Sequence, residues 1–282
     1  MELSNENIIH IKNEKTEYIQ FRKLLEYQDT ITHAFSLGRE VNYRTVIRTE
    51  TGEINRMNYN KAIHDYENLC TSLELDKNDI IRPSQTHKEQ VKIAQRKIQQ
   101  GKPDIYLDEY AETDGLITQK KNLILATTSA DCILMIFFDP QTKTIANIHS
   151  GWKGTYKQIA INAVEKMKSE CNVKPENLIC CMCPSIRQCH FEVRKDVKDM
   201  FAEKFKEIKE IDEIIKKKQD DEEEKWNIDT VELNRIMLQN QGLKPENIID
   251  SKICTVCNSD LIHSYRVEKA GFGLETAIIT LK

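Results

Sequence analysis

The chain has no apolar run approaching the roughly 20 residues that a membrane span needs. Its opening stretch, MELSNENIIHIKNEK, lacks the basic segment and apolar core of an export signal. Both absences lead to the expectation of a cytoplasmic protein. Excess charge is missing too. The net charge is −4 and the pI is near 6.0, which argues against nucleic acid or an anionic membrane as the main partner. No Pro/Gly/Ser-rich linker and no internal repeat divides the 282 residues. One domain over 1–282 is therefore expected, long enough for a sizeable core. Cysteine is the exception to this scarcity. Nine are present, and without an export signal they are expected to be free thiols, metal ligands or catalytic groups, not a disulfide framework.

The densest feature is ADCILMIFFDPQTKTIANIHSGWKG, residues 130–154. Residues 133–138 are all apolar, which suits a strand buried on both faces. Asp139 and Pro140 break the run, and a second strand starts at Thr144. A hairpin returns the chain to its start. Cys132, ahead of the first strand, and His149, after the second, can therefore share one rim. A Cys and a His brought together there point to a metal site or an activated thiol.

Elsewhere, helical spacing of Ala62, Ile63, Tyr66, Leu69, Cys70 and Leu73 predicts an amphipathic helix over 58–75. Thr155 can cap a helix carrying Ile159, Ala160, Ala163, Val164 and Met167. Val197, Met200, Phe201, Phe205 and Ile208 predict a helix over 193–215. Asp229 with Glu232 makes a capping-box start for a helix that ends at Gly242. Strands are expected at 18–21, through His33 to Ser36, and at 91–93, 116–118, 123–127, 178–183, 254–256, 264–267 and 276–281. The polar run KKKQDDEEEK at 216–225 reads as a solvated helix end or a loop. Strands outnumber helices and many pair as hairpins. The expected class is α+β, with mixed sheets packed at the centre and covered by helices.

His87, in the polar turn Gln85-Thr86-His87, is a third candidate ligand. His87, Cys132 and His149 would give zinc two imidazoles and a thiolate and leave its fourth tetrahedral position open, as a catalytic zinc needs. The plain alternative is a buried Cys with two hydrogen-bonded histidines. A further alternative is a nucleophilic Cys132 activated by His149, with Asp131 or His87 orienting it. His87-Lys88-Glu89 and Cys254-Thr255-Val256-Cys257 also spell two halves of a nucleobase-deaminase signature, but more than 160 residues separate them and we read the match as coincidence. Cys180, Cys181, Cys183 and Cys257 are expected to be structural. In Gly151-Trp152-Lys153-Gly154 the glycines permit a tight turn. Trp152 can stack on a flat ring or anchor the core, and Lys153 can meet an anion. Arg187 and Arg266 are further anion candidates, or simply surface charges.

The order ADCILMIFFDP, IHSGWKGT, CPSIRQCHFEV, NIDTVELNRIMLQNQG, CTVCNSDLIHSYRVEKAGFG resembles the YfiH-like family. Its members are labelled polyphenol oxidase or laccase-domain proteins and, more recently, purine nucleoside phosphorylases. The resemblance covers about residues 30–281. It implies a sandwich like the catalytic domain of cytotoxic necrotizing toxins, and zinc ligands at His87, Cys132 and His149. The chain departs from the family pattern at Arg187, Gln188, His263 and Leu274. It implies phosphorolysis of adenosine, inosine and methylthioadenosine and deamination of adenosine, with purine nucleosides and phosphate as partners. Deamination fits a zinc-activated water. Phosphorolysis needs a held phosphate, for which Lys153, Arg187 and Arg266 are the candidates, with Asp131 or Glu192 for proton transfer. A copper-dependent phenol oxidase is the alternative from the older label. The seven histidines are too few for a laccase's several coppers. A hydrolase using Cys132 and a non-enzymatic nucleotide-binding module complete the alternatives.

Overall fold

Alternation sends Ile133, Met135 and Phe137 into one core and Leu134, Ile136 and Phe138 into another. Both faces of this strand are buried, as its composition requires. The computed structural model describes residues 2–45, 56–95, 110–218 and 224–282. Its strands are β1 (Ile8–Lys12), β2 (Glu17–Phe21), β3 (Ile31–Leu37), β4 (Ile80–Ile81), β5 (Val91–Ile93), β6 (Gly115–Thr118), β7 (Ile124–Ser129), β8 (Ile133–Asp139), β9 (Thr144–Ser150), β10 (Ile179–Met182), β11 (Glu192–Val193), β12 (Ile215–Lys217), β13 (Trp226–Ile228), β14 (Ile248–Asp250) and β15 (Glu275–Leu281). The helices are α1 (Arg22–Leu25), α2 (Arg56–Ser72), α3 (Trp152–Tyr156), α4 (Ile159–Cys171), α5 (Lys195–Lys204), α6 (Ile211–Ile214), α7 (Thr230–Asn240) and α8 (Tyr265–Glu268).

One six-stranded sheet runs β1-β2-β3-β15-β7-β4 and a second runs β14-β10-β8-β9-β6-β5. They share a core. Phe21, Phe35, Leu125 and Ile279 of the first form one buried cluster with Leu134, Ile136, Phe138 and Cys181 of the second. Helix α2 lays Tyr66, Leu69 and Cys70 on the far side of the first sheet. Helices α4 and α7 cover the second with Ile159, Ala163, Met167 and Leu238. The α+β sandwich with helices outside is therefore the fold. A small sheet, β11-β13-β12, packs with α5 around Phe201.

One polar residue crosses the apolar sandwich. Asn147 of β9 donates to the carbonyls of Leu125 and Ala277 at 3.0 and 2.8 Å and accepts from the Thr127 hydroxyl. All three partners belong to the opposite sheet. A buried amide is tolerated only when its groups are bonded in this way.

Several expectations change. Thr155 lies inside α3 and does not cap α4, which starts after Gln158 in a left-handed conformation, φ +64°. The single helix expected over 193–215 is two, α5 and α6. The polar run begins within β12, and residues 219–223 of it lie outside the described residues. Asp229 does cap α7, accepting from Glu232 N at 2.9 Å. The stretches 254–256 and 264–267 are not strands. Cys254 makes one isolated bridge to Ser185, and Arg266 lies in α8. Too few ladder bonds form there for these short runs to act as strands. Side-chain bonds hold them instead: the carboxylate of Asp131 accepts from Thr255 Oγ1 at 2.6 Å and from Arg266 N at 2.7 Å.

Candidate metal centre

Leu134 faces His149 across the β8–β9 ladder, so Cys132, two residues ahead, comes diagonal to His149 at the end of the hairpin. His87 arrives on the loop between β4 and β5 with φ +60°, a conformation uncommon outside glycine. The three ligand atoms lie within 4.8 Å of one another. Cys132 Sγ is 3.9 Å from His87 Nε2. The two imidazoles cross edge to face with centroids 4.8 Å apart.

Asp114 organises this trio. It is fully buried, just ahead of β6. Its Oδ1 accepts from His87 N at 2.9 Å and His149 Nδ1 at 2.8 Å, and its Oδ2 accepts from Lys88 N at 2.8 Å and Thr86 N at 3.1 Å. The carboxylate thus fixes both the turn carrying His87 and the ring of His149. With Nδ1 bonded to Asp114, Nε2 of His149 is left for a metal, the usual support for a metal-binding histidine. Burial alone would raise the Asp114 carboxyl, but the His149 bond and the backbone amides hold it below its ordinary range. Burial opposes charge on His149 as well. Asp114 and Cys132 outweigh it and lift the imidazole to about 9. Cys132 follows the same pattern. Burial raises the thiol, while hydrogen bonds from His149 and His87 bring it down to about 6.

These residues fit a metal ion. The donors are soft and borderline, converge from three segments, and one imidazole is locked in the required tautomer. Gly151 admits them. A Cβ there would stand 2.9 Å from both Cys132 Sγ and His87 Cδ2, too close for any side chain.

A cavity of about 810 Å³ opens over the trio. Its wall includes Arg44, Arg82, Trp152, Phe191, Arg266 and Phe272. Arg44 lies over the Phe272 ring at 4.2 Å. Arg82 is buried and donates to Tyr43 O at 3.0 Å and Thr128 Oγ1 at 2.9 Å. Asp131 also lines the cavity at φ +85°, with each carboxylate oxygen accepting a bond as described above. Arg266 donates from its guanidinium to the carbonyls of His190 and Glu192 at 3.1 and 3.2 Å.

Other candidates go elsewhere. Arg187 is held in a bidentate pair with Asp250, both bonds 2.6 Å, so it is committed to that partner and is not a cavity cation. Lys153 is exposed, its ammonium 5.5 Å from the Trp152 ring centroid. Glu192 pairs with Lys218 at 2.6 Å. Gln188 donates to the carbonyls of Glu213 and Ile214. His263 is buried, with Nε2 2.7 Å from Val41 O and Nδ1 3.0 Å from Glu268. Leu274 is the departure that reaches the cavity wall. Trp152 lines the cavity and packs near Phe201, with ring centroids 6.4 Å apart. The two halves of the deaminase-like signature fall into separate clusters. Cys257, expected to be merely structural, joins Cys189, His190 and Cys254 in a second group of potential ligands.

Sequence reasoning missed Asp114, Arg44 and Arg82. The only signal for Asp114 was an acid set directly before an apolar strand.

The fold belongs to a known architecture. The chain superposes on the Bacillus licheniformis hypothetical protein YfiH with a TM-score of 0.78 at 22% identity, covering 97% of this chain and 99% of that one. For YlmD from Geobacillus stearothermophilus the TM-score is 0.76 at 18% identity, covering 98% and 99%. The chain belongs to the family described as multi-copper polyphenol oxidoreductase laccase, whose model matches residues 55–282. Among its relatives, the purine nucleoside phosphorylase YlmD of Bacillus subtilis is 28% identical over 222 residues, 78% of this chain and 77% of the relative. The adenosine deaminase RL5 of an unknown prokaryotic organism is 27% identical over 198 residues, 70% and 73%.

Proposed function

We propose that this protein is a zinc-dependent purine nucleoside enzyme, cleaving nucleosides with phosphate and deaminating adenosine. The observation that carries the reading is the His87–Cys132–His149 trio, braced by Asp114, at the floor of a cavity walled by aromatic and cationic side chains. The names of the relatives, a phosphorylase and a deaminase, support the same class. A zinc ion held by the trio would supply a Lewis acid and an activated water, the chemistry deamination requires. The chain's own residues do the rest. Phe191, Phe272 and Trp152 offer apolar faces for a purine ring. Arg44, Arg82 and Arg266 give the wall the positive charge that a phosphate needs. Asp131 positions Arg266 through its backbone amide, and each of its carboxylate oxygens already accepts one bond.

The low Cys132 thiol favours a second reading, a cysteine hydrolase, since a thiolate serves as nucleophile as readily as ligand. A copper phenol oxidase is the third, and it requires copper in the trio. Metal analysis of the purified protein, paired with identification of products from adenosine plus phosphate, separates them. About one zinc in the trio with adenine or inosine formed supports the proposal. Activity that survives chelation but is lost to alkylation supports the hydrolase instead.

A further inference from the structure

We propose that Cys189, His190, Cys254 and Cys257 form a second metal site, a closed zinc centre of three thiolates and one imidazole. The argument is geometric. The Cys189 sulfur lies 3.7 Å from that of Cys254 and 3.9 Å from that of Cys257. His190 Nδ1 lies 3.2 Å from Cys189 Sγ, 3.6 Å from Cys254 Sγ and 3.5 Å from Cys257 Sγ. All four atoms fall within 4.8 Å of one another. Around a tetrahedral zinc with Zn–S near 2.3 Å and Zn–N near 2.0–2.1 Å, sulfurs stand about 3.8 Å apart and sulfur and nitrogen about 3.5 Å. Five of the six edges of the quartet, at 3.2–3.9 Å, already match that tetrahedron. The sulfurs are far beyond the roughly 2.05 Å of a disulfide.

The surroundings give such an ion a task. Its ligands come from two loops with little regular structure of their own. The loops touch through the Ser185–Cys254 bridge, in which Ser185 N donates to Ile253 O at 3.2 Å and Thr255 N to Ser185 O at 3.1 Å. Small loop-built units of this kind are held by metal where ladders and core are thin. Cys189 and Cys257 are exposed while Cys254 is buried, so an ion has a way in. The centre sits directly behind the cavity. Thr255, inside the C-x-x-C turn, bonds Asp131, and the His190 carbonyl accepts from Arg266. Clamping the two loops therefore fixes the backs of two cavity residues. Four protein ligands leave no open position, so the role is structural and not catalytic.

The test loads the full chain with zinc, removes unbound ion by gel filtration and counts metal by mass spectrometry. The expected result is about two zinc ions per wild-type chain, one in Cys132→Ala, one in Cys257→Ser and none in the double variant. Cobalt loaded into Cys132→Ala should give the intense visible bands of a tetrahedral thiolate centre. That measurement keeps all four donors intact, so it stands even where Cys257→Ser fails to fold, and it is independent of the trio. One zinc in the wild type with none in Cys132→Ala overturns the proposal. So does a Cys189–Cys257 disulfide found by peptide mapping of the loaded protein.

Discussion

His87, Cys132 and His149 stand at the ends and turns of a rigid sandwich, with a buried carboxylate behind them. Cys189, His190, Cys254 and Cys257 stand on two loops that meet through a single bridge. The trio opens onto a cavity and the quartet closes on itself. Similar donors thus take different duties according to how many converge and what lies beyond them. Three ligands and a cavity leave room for chemistry, whereas four ligands on loops leave room only for a clamp.

The comparison breaks most visibly at Cys132. Cys132→Ala should abolish nucleoside turnover altogether while the quartet keeps its metal. Assay of both products alongside a metal count checks this, and residual activity in a trio without zinc would end the division of labour. Asp114→Asn is expected next. It removes the negative charge that orients His149 and the His87 turn, and should cost 10- to 100-fold in metal affinity or turnover, read by zinc titration against a competing chelator. The quartet should not respond. Arg44→Ala should weaken phosphorolysis about tenfold or more, since a charged contact is worth about 1.5–3 kcal/mol, and leave deamination less affected. Equal losses in both reactions would remove Arg44 from the phosphate side of the cavity.

The smallest effect sharpens the contrast between histidines. His149 has a carboxylate beside it and is lifted. His33 is buried in the sandwich, accepts from Phe21 N at 2.7 Å, and burial pushes it down to about 3. Its neutral form is the folded one, while the unfolded chain protonates near pH 6.5. The stability it allows is present above that pH and declines as pH falls towards 3. The decline is about 1.4 kcal/mol per pH unit. Urea midpoints between pH 6 and pH 5 should fall more in the wild type than in His33→Gln, and identical slopes would refute the assignment.

Much of this was legible in the sequence because one physical rule dominated. Residues 133–138 are apolar without interruption, and only a strand with cores on both faces buries all six. The α7 cap was equally readable, since Asp229 and Glu232 act within one turn. The rim that Cys132 and His149 share followed from the hairpin. What stayed hidden depended on distant partners. Arg187 and Arg82 look alike in sequence, and only the fold shows that Asp250 takes the first while the second stays at the cavity. Asp114 sits in an ordinary polar turn until four donors converge on it. The stretches around Cys254 and Arg266 read as strands because Thr255, Val256, Tyr265 and Val267 are residue types favoured in strands. They are set instead by bonds to Asp131, more than a hundred residues earlier in the chain.

Asn147 lies two residues before His149, about 7 Å along the strand from the rim. Its three bonds to the facing sheet act as a rivet at the root of a pair of jaws. Sliding one sheet over the other would strand a buried amide and two carbonyls together, a cost of about 1–3 kcal/mol for each group. The gap between the jaws is therefore set before any ligand arrives. A ligand is gauged by a fixed aperture, and a change in which ligand fits must come from the lining, at positions such as Leu274, and not from the spacing of the sheets.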